Sequence, residues 1–360
     1  MTVKEISKIR LLSQQIAGTE YKTAKEIVGW MGAMQAQDYP MAKLAIGLRM
    51  LNSTDTKVEE AFNKGEIIRT HVMRPTWHFV SADDIHWLLK LTALRIKSSL
   101  KSRHKQLELS DDVLRKSNSI IEKALSTEKF LTRDELAAEF AKANIKTSEN
   151  RLSHLMFSAE LEGLVCSGPV KAKKQTYALL QERVPVTKTL TKDESLAELA
   201  KRYFTSHCPA TLQDFVWWSG LSLTEARRAL ELIKSDFISE TIGTEIYWLT
   251  NSFSTGKYDE SSVHLLPAYD EFLISYRNRS ASLSLVDNRK TVSENGLFRP
   301  VVVIDGQVSG LWKRTLGKNQ VIIDTNFFQP QEKDTHNKII EKVNKFESFF
   351  GKKTLINLVQ

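Results

Sequence analysis

Residues 28–50 read VGWMGAMQAQDYPMAKLAIGLRM. Apolar residues recur at helical spacing on both sides of the centre of this stretch. Ala24, Ile27, Val28 and Met31 precede it, and Met41, Leu44, Ala45 and Leu48 follow it. Pro40 suits the first turn of the second helix, where a missing N–H costs nothing. Between the helices lies Gln35-Ala36-Gln37-Asp38, a polar cluster at the joint of a helix-turn-helix. Two glutamines at i and i+2 would not share a face of a continuous helix. In a turn or a short extended piece they can point the same way. Taken alone, Gln-x-Gln is an ordinary solvated turn, so its meaning depends on the rest of the chain.

The same unit recurs along the sequence without exact repetition. Thr-x-x-acid capping boxes open helices at Thr23 with Glu26, Thr132 with Glu135, and Thr211 with Asp214. Each is followed by an apolar stripe, a break, a second amphipathic helix and short strand-like runs around a turn. This is the outline of a winged helix. Residues 1–104 form the first such region, with the candidate wing in GEIIRTHVMRPTWHFV and its turn near Arg74-Pro75. Residues 105–190 form the second, with Leu152, Leu155, Met156 and Ala159 on one stripe and Gly163 as the helix stop. Its hairpin turns at Gly168-Pro169 and carries Lys171, Lys173 and Lys174 on one arm. Residues 191–255 form the third, where Ser222 with Glu225 caps a helix that buries Ala226, Ala229, Leu230 and Ile233.

Residues 256–360 change character. Asp305-Gly306 between two β-type runs is a strong hairpin signal. A third run, NQVIIDTNFFQ, extends it toward a small sheet or barrel. A helix packing Ile339, Ile340, Val343 and Phe346 closes the region, and the polar segment 282–295 reads as a mobile loop or interaction arm. The fold class expected is α+β, mainly helical, with three tandem winged-helix motifs plus a small C-terminal antiparallel β-barrel or sheet.

Composition narrows the function. The chain has 360 residues with 41% hydrophobic and 26% charged content, an ordinary globular balance. A net charge of +8 favours an acidic polymer as partner, nucleic acid first and an anionic membrane surface second. Cys166 and Cys208 have neither zinc nor redox spacing and read as buried thiols. The first 15 residues form a charged amphipathic helix rather than a signal peptide, and no apolar run reaches membrane-spanning length. A cytoplasmic protein is expected. No phosphate-binding glycine loop, metal ligand set or nucleophile elbow is present, so neither a metal nor a cofactor is called for.

Several residues could meet a polyanion. His71 and His78 flank Arg74 on the first candidate wing, where packing inside the hairpin is an equal alternative. Lys171, Lys173 and Lys174 could contact a phosphate backbone or merely guard a hairpin edge. Trp217 and Trp218 read as core. Asp270 and Glu271 could offer a carboxylate to a reaction, with an ion pair to Arg277 or Arg279 as the plainer expectation.

Taken together, EIVGWMGAMQAQDYPMAKLAIGLRM, IRTHVMRPTWHFV, CPATLQDFVWWSGLSLTEARRAL, LLPAYDEFLISYRNRS and VVVIDGQVSGLWKR resemble the AlkZ-type winged-helix DNA glycosylases, in the same order and over nearly the whole chain. The resemblance implies three tandem winged helices and a β-barrel forming a C-shaped clamp around DNA. It also implies excision of alkylated purines, particularly N7-alkylguanine, with interstrand crosslinks unhooked by some members. The partner implied is double-stranded DNA with alkylated bases, bound by a monomer without a membrane. The family's Gln-x-Gln catalytic signature matches Gln35 and Gln37, with Ala36 at the small aliphatic middle position; a related branch carries Gln-x-Asp instead. His71, Arg74, His78, Lys171, Lys173 and Lys174 are the candidate DNA contacts.

The chemistry of glutamine agrees with this. A carboxamide is neutral and no strong base, but it accepts and donates hydrogen bonds. That suffices where N7-alkylation has already made the purine a good leaving group. Without the resemblance, a winged-helix transcriptional regulator fits the residues about as well, and a non-catalytic scaffold is a further alternative.

Overall fold

Helix α1 (Val3–Ser13) opens on a capping box: Thr2 accepts from the Glu5 N–H while Glu5 reaches back to Thr2. Helix α2 (Ala24–Met31) has the expected Thr23/Glu26 box and buries Ala24, Ile27, Val28 and Met31. It stops at Gly32, whose φ of 77° suits a residue without Cβ. The extended pair β1 (Met34–Gln35) and helix α3 (Tyr39–Gly47) follow, with Pro40 in the first turn of α3. The computed structural model of the chain describes residues 1–251 and 262–359. Helix α4 (Asp55–Lys64) then carries the chain out of one compact unit, Met1–Glu59 with Leu196–Gln360, and into another, Glu60–Ser195. The expected boundary at 255/256 lies outside the described residues.

The unit of residues 60–195 begins with the antiparallel hairpin β2 (Ile67–His71) and β3 (Trp77–Ser81), which turns through Arg74-Pro75 as expected. Helix α5 (Ile85–Gln106) follows and ends on Arg103, His104 and Lys105. Next come α6 (Asp111–Thr127), β4 (Leu131–Thr132), α7 (Arg133–Lys142), α8 (Arg151–Leu161), β5 (Val165–Ser167), β6 (Thr176–Leu179) and the short α9 (Leu180–Arg183). The strands pair in the order β4-β6-β5. Ile121, Leu125, Leu136, Phe140, Leu155 and Met156 form the core beneath them.

The larger unit resumes with α10 (Lys192–Ser206), β7 (Ala210–Thr211), α11 (Leu212–Ser219), α12 (Leu223–Ile233), β8 (Ile238–Ile242) and β9 (Glu245–Leu249). Its strands repeat the same pattern in the order β7-β9-β8. Both capping boxes expected here, Thr211/Asp214 and Ser222/Glu225, are formed. Trp218 is fully buried, but Trp217 is 42% exposed, because neighbours on a helix point about 100° apart.

The chain then lays down β10 (Val263–Leu266), α13 (Glu271–Ile274), α14 (Asn288–Thr291), β11 (Val301–Ile304), β12 (Gln307–Leu316), β13 (Gln320–Phe327), α15 (Lys333–Phe350) and β14 (Lys353–Val359). One five-stranded sheet of order β10-β11-β12-β13-β14 results, curled into a half-barrel. The sheet is not wholly antiparallel: β13 and β14 run parallel. Helix α15 is therefore a crossover connection rather than the last element, since parallel neighbours cannot be joined by a tight turn. Segment 282–295 is a structured turn with α14 and a Val292–Phe298 bridge. No helix among the described residues is long and apolar enough to cross a membrane.

Candidate active site

The Gln-Ala-Gln joint is fixed at both ends. Gly32 ends α2, and Asp38 starts α3 by accepting the Met41 N–H at 3.0 Å. The two glutamines lie at different depths. Gln35 is only 4% exposed, whereas Gln37 is at the surface.

Behind Gln35 stands Glu271, the first residue of α13. The Gln35 N–H donates to Glu271 Oε1 at 2.5 Å. The Ser275 hydroxyl, one turn further along, donates to Oε2. His207 Nε2 lies 3.7 Å from Oε2. Burial opposes the charge on Glu271, but His207, the Ser275 hydroxyl and the Gln35 N–H outweigh it and bring the carboxyl down to about 2. The acid is therefore ionised at neutral pH. Burial pushes the His207 imidazole down instead, between the Tyr203 ring at 4.8 Å and the Trp218 ring at 5.2 Å.

The neighbouring carboxylate faces the other way. Asp270 forms a bidentate pair with Arg49, Oδ1 to Nη2 at 2.8 Å and Oδ2 to Nη1 at 2.9 Å. Arg49 also donates to the carbonyls of Gln14 (2.9 Å) and Ala45 (2.9 Å) and to Gln14 Oε1 (3.1 Å). Gln14 Nε2 in turn donates to the Glu271 carbonyl at 3.3 Å and the Tyr276 hydroxyl at 2.9 Å. Tyr269, just before the pair, adopts a φ of 58°, a strained value for a side chain of its size. Burial and then the charge of Asp38 push its phenol up.

The expected pairing of Asp270 or Glu271 with Arg277 or Arg279 does not form. Arg277 reaches Gln213 Oε1 at 2.8 Å, and Arg279 donates to the Leu273 carbonyl at 2.8 Å. Arg49 and Gln35 take those carboxylates because they are buried beside them, whereas Arg277 faces solvent. Arg49 and His207 carry no local sequence signal; the Asp-Glu pair itself was visible.

The remaining candidates belong to the unit of residues 60–195. His71 is half-buried, with its ring between Trp77 (3.9 Å) and Phe157 (4.0 Å) and Nδ1 2.8 Å from Glu160 Oε2. His78 is fully buried, with Nδ1 3.0 Å from the Thr76 carbonyl, and presents nothing at the surface. Arg74 is partly exposed in the hairpin turn. Lys171 and Lys174 are exposed and pair with Glu135 (3.4 Å) and Asp134 (2.8 Å) of α7, while Lys173 is exposed at the hairpin tip. Burial pushes both Cys166 and Cys208 up to about 12, which removes them as nucleophiles at neutral pH.

The comparisons with known proteins agree with one another. A family model described as DNA glycosylase AlkZ-like matches residues 28–349. The interstrand DNA cross-link repair glycosylase of Streptomyces sahachiroi is 23% identical over 327 residues, covering 84% of this chain and 85% of that protein. The solved structure of the Streptomyces sahachiroi DNA glycosylase AlkZ superposes with a TM-score of 0.81 at 19% identity, over 100% of both chains. With the family model spanning both the glutamine joint and the Asp270-Glu271 pair, this chain belongs to the AlkZ-like DNA glycosylase family.

Proposed function

We propose that this DNA glycosylase is monofunctional and excises cationic N7-alkylpurines, alkylguanine foremost, from double-stranded DNA, with Gln35 and Gln37 positioning the attacking water. Unhooking of interstrand crosslinks is part of the reading, supported by the activity in the name of the Streptomyces relative. Family membership favours the enzyme over the regulator and scaffold readings.

One observation carries the substrate class. The carboxyl group next to the motif, Glu271, is buried, bonded to the Gln35 N–H and held down to about 2, so neither its position nor its charge state lets it give a proton to a leaving base at neutral pH. A neutral purine would need that proton; a cationic one does not. The C1′–N9 bond breaks, its electron pair neutralises the purinium, and the sugar becomes an oxocarbenium-like cation. Water held by the carboxamides adds to C1′ and releases a proton to solvent, leaving an abasic sugar and a free alkylpurine. Positioning and electrostatics supply the acceleration. No imine is expected, since Lys43, the first lysine after the motif, is engaged by Asp55 at 2.8 Å and Glu59 at 2.7 Å.

The domain reading follows. Regions 1–104, 105–190 and 191–255 act as winged helices and 256–360 as the barrel-like region, in a monomer that grips DNA through phosphate contacts. The shared strand orders β4-β6-β5 and β7-β9-β8 support the second and third. Arg74, Lys171, Lys173 and Lys174 are the proposed phosphate contacts; His71 and His78 serve as scaffold for the hairpin.

The test is base release from duplexes carrying N7-methylguanine, N3-methyladenine or a neutral lesion. Release of the cationic bases, little release of the neutral one, and loss of release in Gln35→Ala/Gln37→Ala are expected. No release by the wild type, or unchanged release by the double variant, would refute the reading.

A further inference from the structure

We propose that Glu271 is a positioning residue for the reaction: acting through Gln35, its buried carboxylate holds a negative charge behind the glutamine joint that stabilises the sugar cation formed as the base departs. This rests on the reading that Gln35 and Gln37 work at the sugar.

The argument begins with what the glutamines lack. Two carboxamides can orient water, but they carry no charge to meet a cation developing at C1′ and O4′. Glu271 supplies one. It is 1% exposed, and its side-chain contacts are the Gln35 N–H, the Ser275 hydroxyl and the His207 ring. The nearest base, His207, has its Nε2 at 3.7 Å, beyond hydrogen-bond distance, and burial lowers its proton affinity. The nearby guanidinium of Arg49 is matched by the bidentate Asp270. With the His207 imidazole uncharged at neutral pH, the Gln35 N–H and the Ser275 hydroxyl are the bonds that hold the Glu271 carboxylate, and its charge is not cancelled by a bonded cation.

The geometry also fixes where that charge acts. Glu271 bonds the backbone of the motif rather than a side chain, so it does not compete with water for the carboxamides. It is buried and reaches the joint through the Gln35 main chain, so its part is positioning and electrostatic. In the bound lesion the positive charge is spread over the purine, and in the transition state it moves onto the sugar. A fixed anion behind the joint favours the second arrangement over the first, so its effect falls on the rate of base release rather than on DNA binding. Moving a unit positive charge from roughly 12 to roughly 8 Å from the carboxylate, at an effective dielectric constant of about 20, raises the rate by about 3-fold.

The test is Glu271→Gln in the full chain, with Glu271→Asp and Gln35→Ala/Gln37→Ala alongside. The glutamine amide keeps the size of the side chain, accepts the Gln35 N–H and can still face Ser275 and His207; it removes only the charge. Single-turnover release of N7-methylguanine should fall by about 3-fold or more, with affinity for duplex DNA unchanged within about 2-fold. Glu271→Asp, which keeps the charge but loses the fit, should release faster than Glu271→Gln. A purely structural role predicts the opposite order, and Glu271→Gln releasing as fast as Glu271→Asp or faster overturns the proposal. Should Glu271→Gln lose its cooperative thermal transition, Glu271→Asp decides alone: release within about 2-fold of wild type supports the charge, and a greater loss overturns it. If the double glutamine variant is inactive while Glu271→Gln matches wild type, only this proposal fails. If the double variant is fully active, the glutamine reading fails and takes this one with it.

Discussion

Asp270→Asn tests the clamp that sets α13 in place. Arg49 is fully buried and Asp270 is 4% exposed, so the pair has little water to screen it. Asparagine keeps the shape and can still accept the Phe272 N–H that Asp270 Oδ1 receives at 3.0 Å. What is lost is the charge opposite a buried guanidinium that makes two of its bonds to this carboxylate. Removing one partner of such a pair costs about 3–5 kcal/mol, because the other remains charged and unsolvated. The retained cap places Asp270→Asn near the lower end, at about 3 kcal/mol. With a urea m-value of about 2–3 kcal/mol per M, the unfolding midpoint should fall by about 1–1.5 M with m unchanged. Arg49→Met should cost a similar amount, and the double variant less than the sum, with a coupling of at least about 1 kcal/mol. Base release should fall as well, since Asp270 adjoins Glu271 and a shift of about 1 Å at a reacting centre can cost about 100-fold. A midpoint shift below about 0.3 M, or additive single variants, would refute the clamp.

Acid stability should depend on His264, which is 7% exposed with Nε2 lacking a hydrogen-bond partner. Burial first, then Lys342, Lys345 and Arg49, push it down to about 3. The unfolded chain takes up this proton near pH 6.5 and the folded chain does not, so the stability is full above that pH and declines as pH falls toward 3. Between pH 7 and 5 the loss should be about 2 kcal/mol, and urea midpoints of His264→Leu should show that much less decline; equal declines in both proteins would contradict it. On the DNA side, replacing Lys171, Lys173 and Lys174 by alanine should flatten the log K against log salt slope by roughly 2–3. The thermal midpoint should barely move, because exposed pairs such as Lys174–Asp134 contribute about 0–1 kcal/mol. An unchanged slope would remove this hairpin from the interface.

What could be read in the sequence was what neighbours in the chain decide. The boxes at Thr23, Thr132, Thr211 and Ser222 close as expected because every atom involved lies within three residues. The Asp305-Gly306 turn forms because both residues accept positive φ, 49° and 79°. Strand β14 carries no local signal in the sequence because its partner β13 lies across a whole helix. The same limit hid the site's support. Asp270 and Glu271 stood out in the sequence, yet their partners Arg49 and Gln35 are 221 and 236 residues away, and only closer arginines could be considered. The glutamine pair was visible through family resemblance, but the burial of one member and exposure of the other depend on α13, which no local pattern places there.

The 236-residue separation of Gln35 and Glu271 has a consequence during synthesis. A ribosome adding about 5–20 residues per second exposes the glutamine motif roughly 10–50 seconds before the carboxylate that backs it. Through that interval the amino-terminal helices hold the Gln-Ala-Gln joint without the carboxylate that accepts the Gln35 N–H, so the joint takes its final setting only after about three-quarters of the 360 residues have been added.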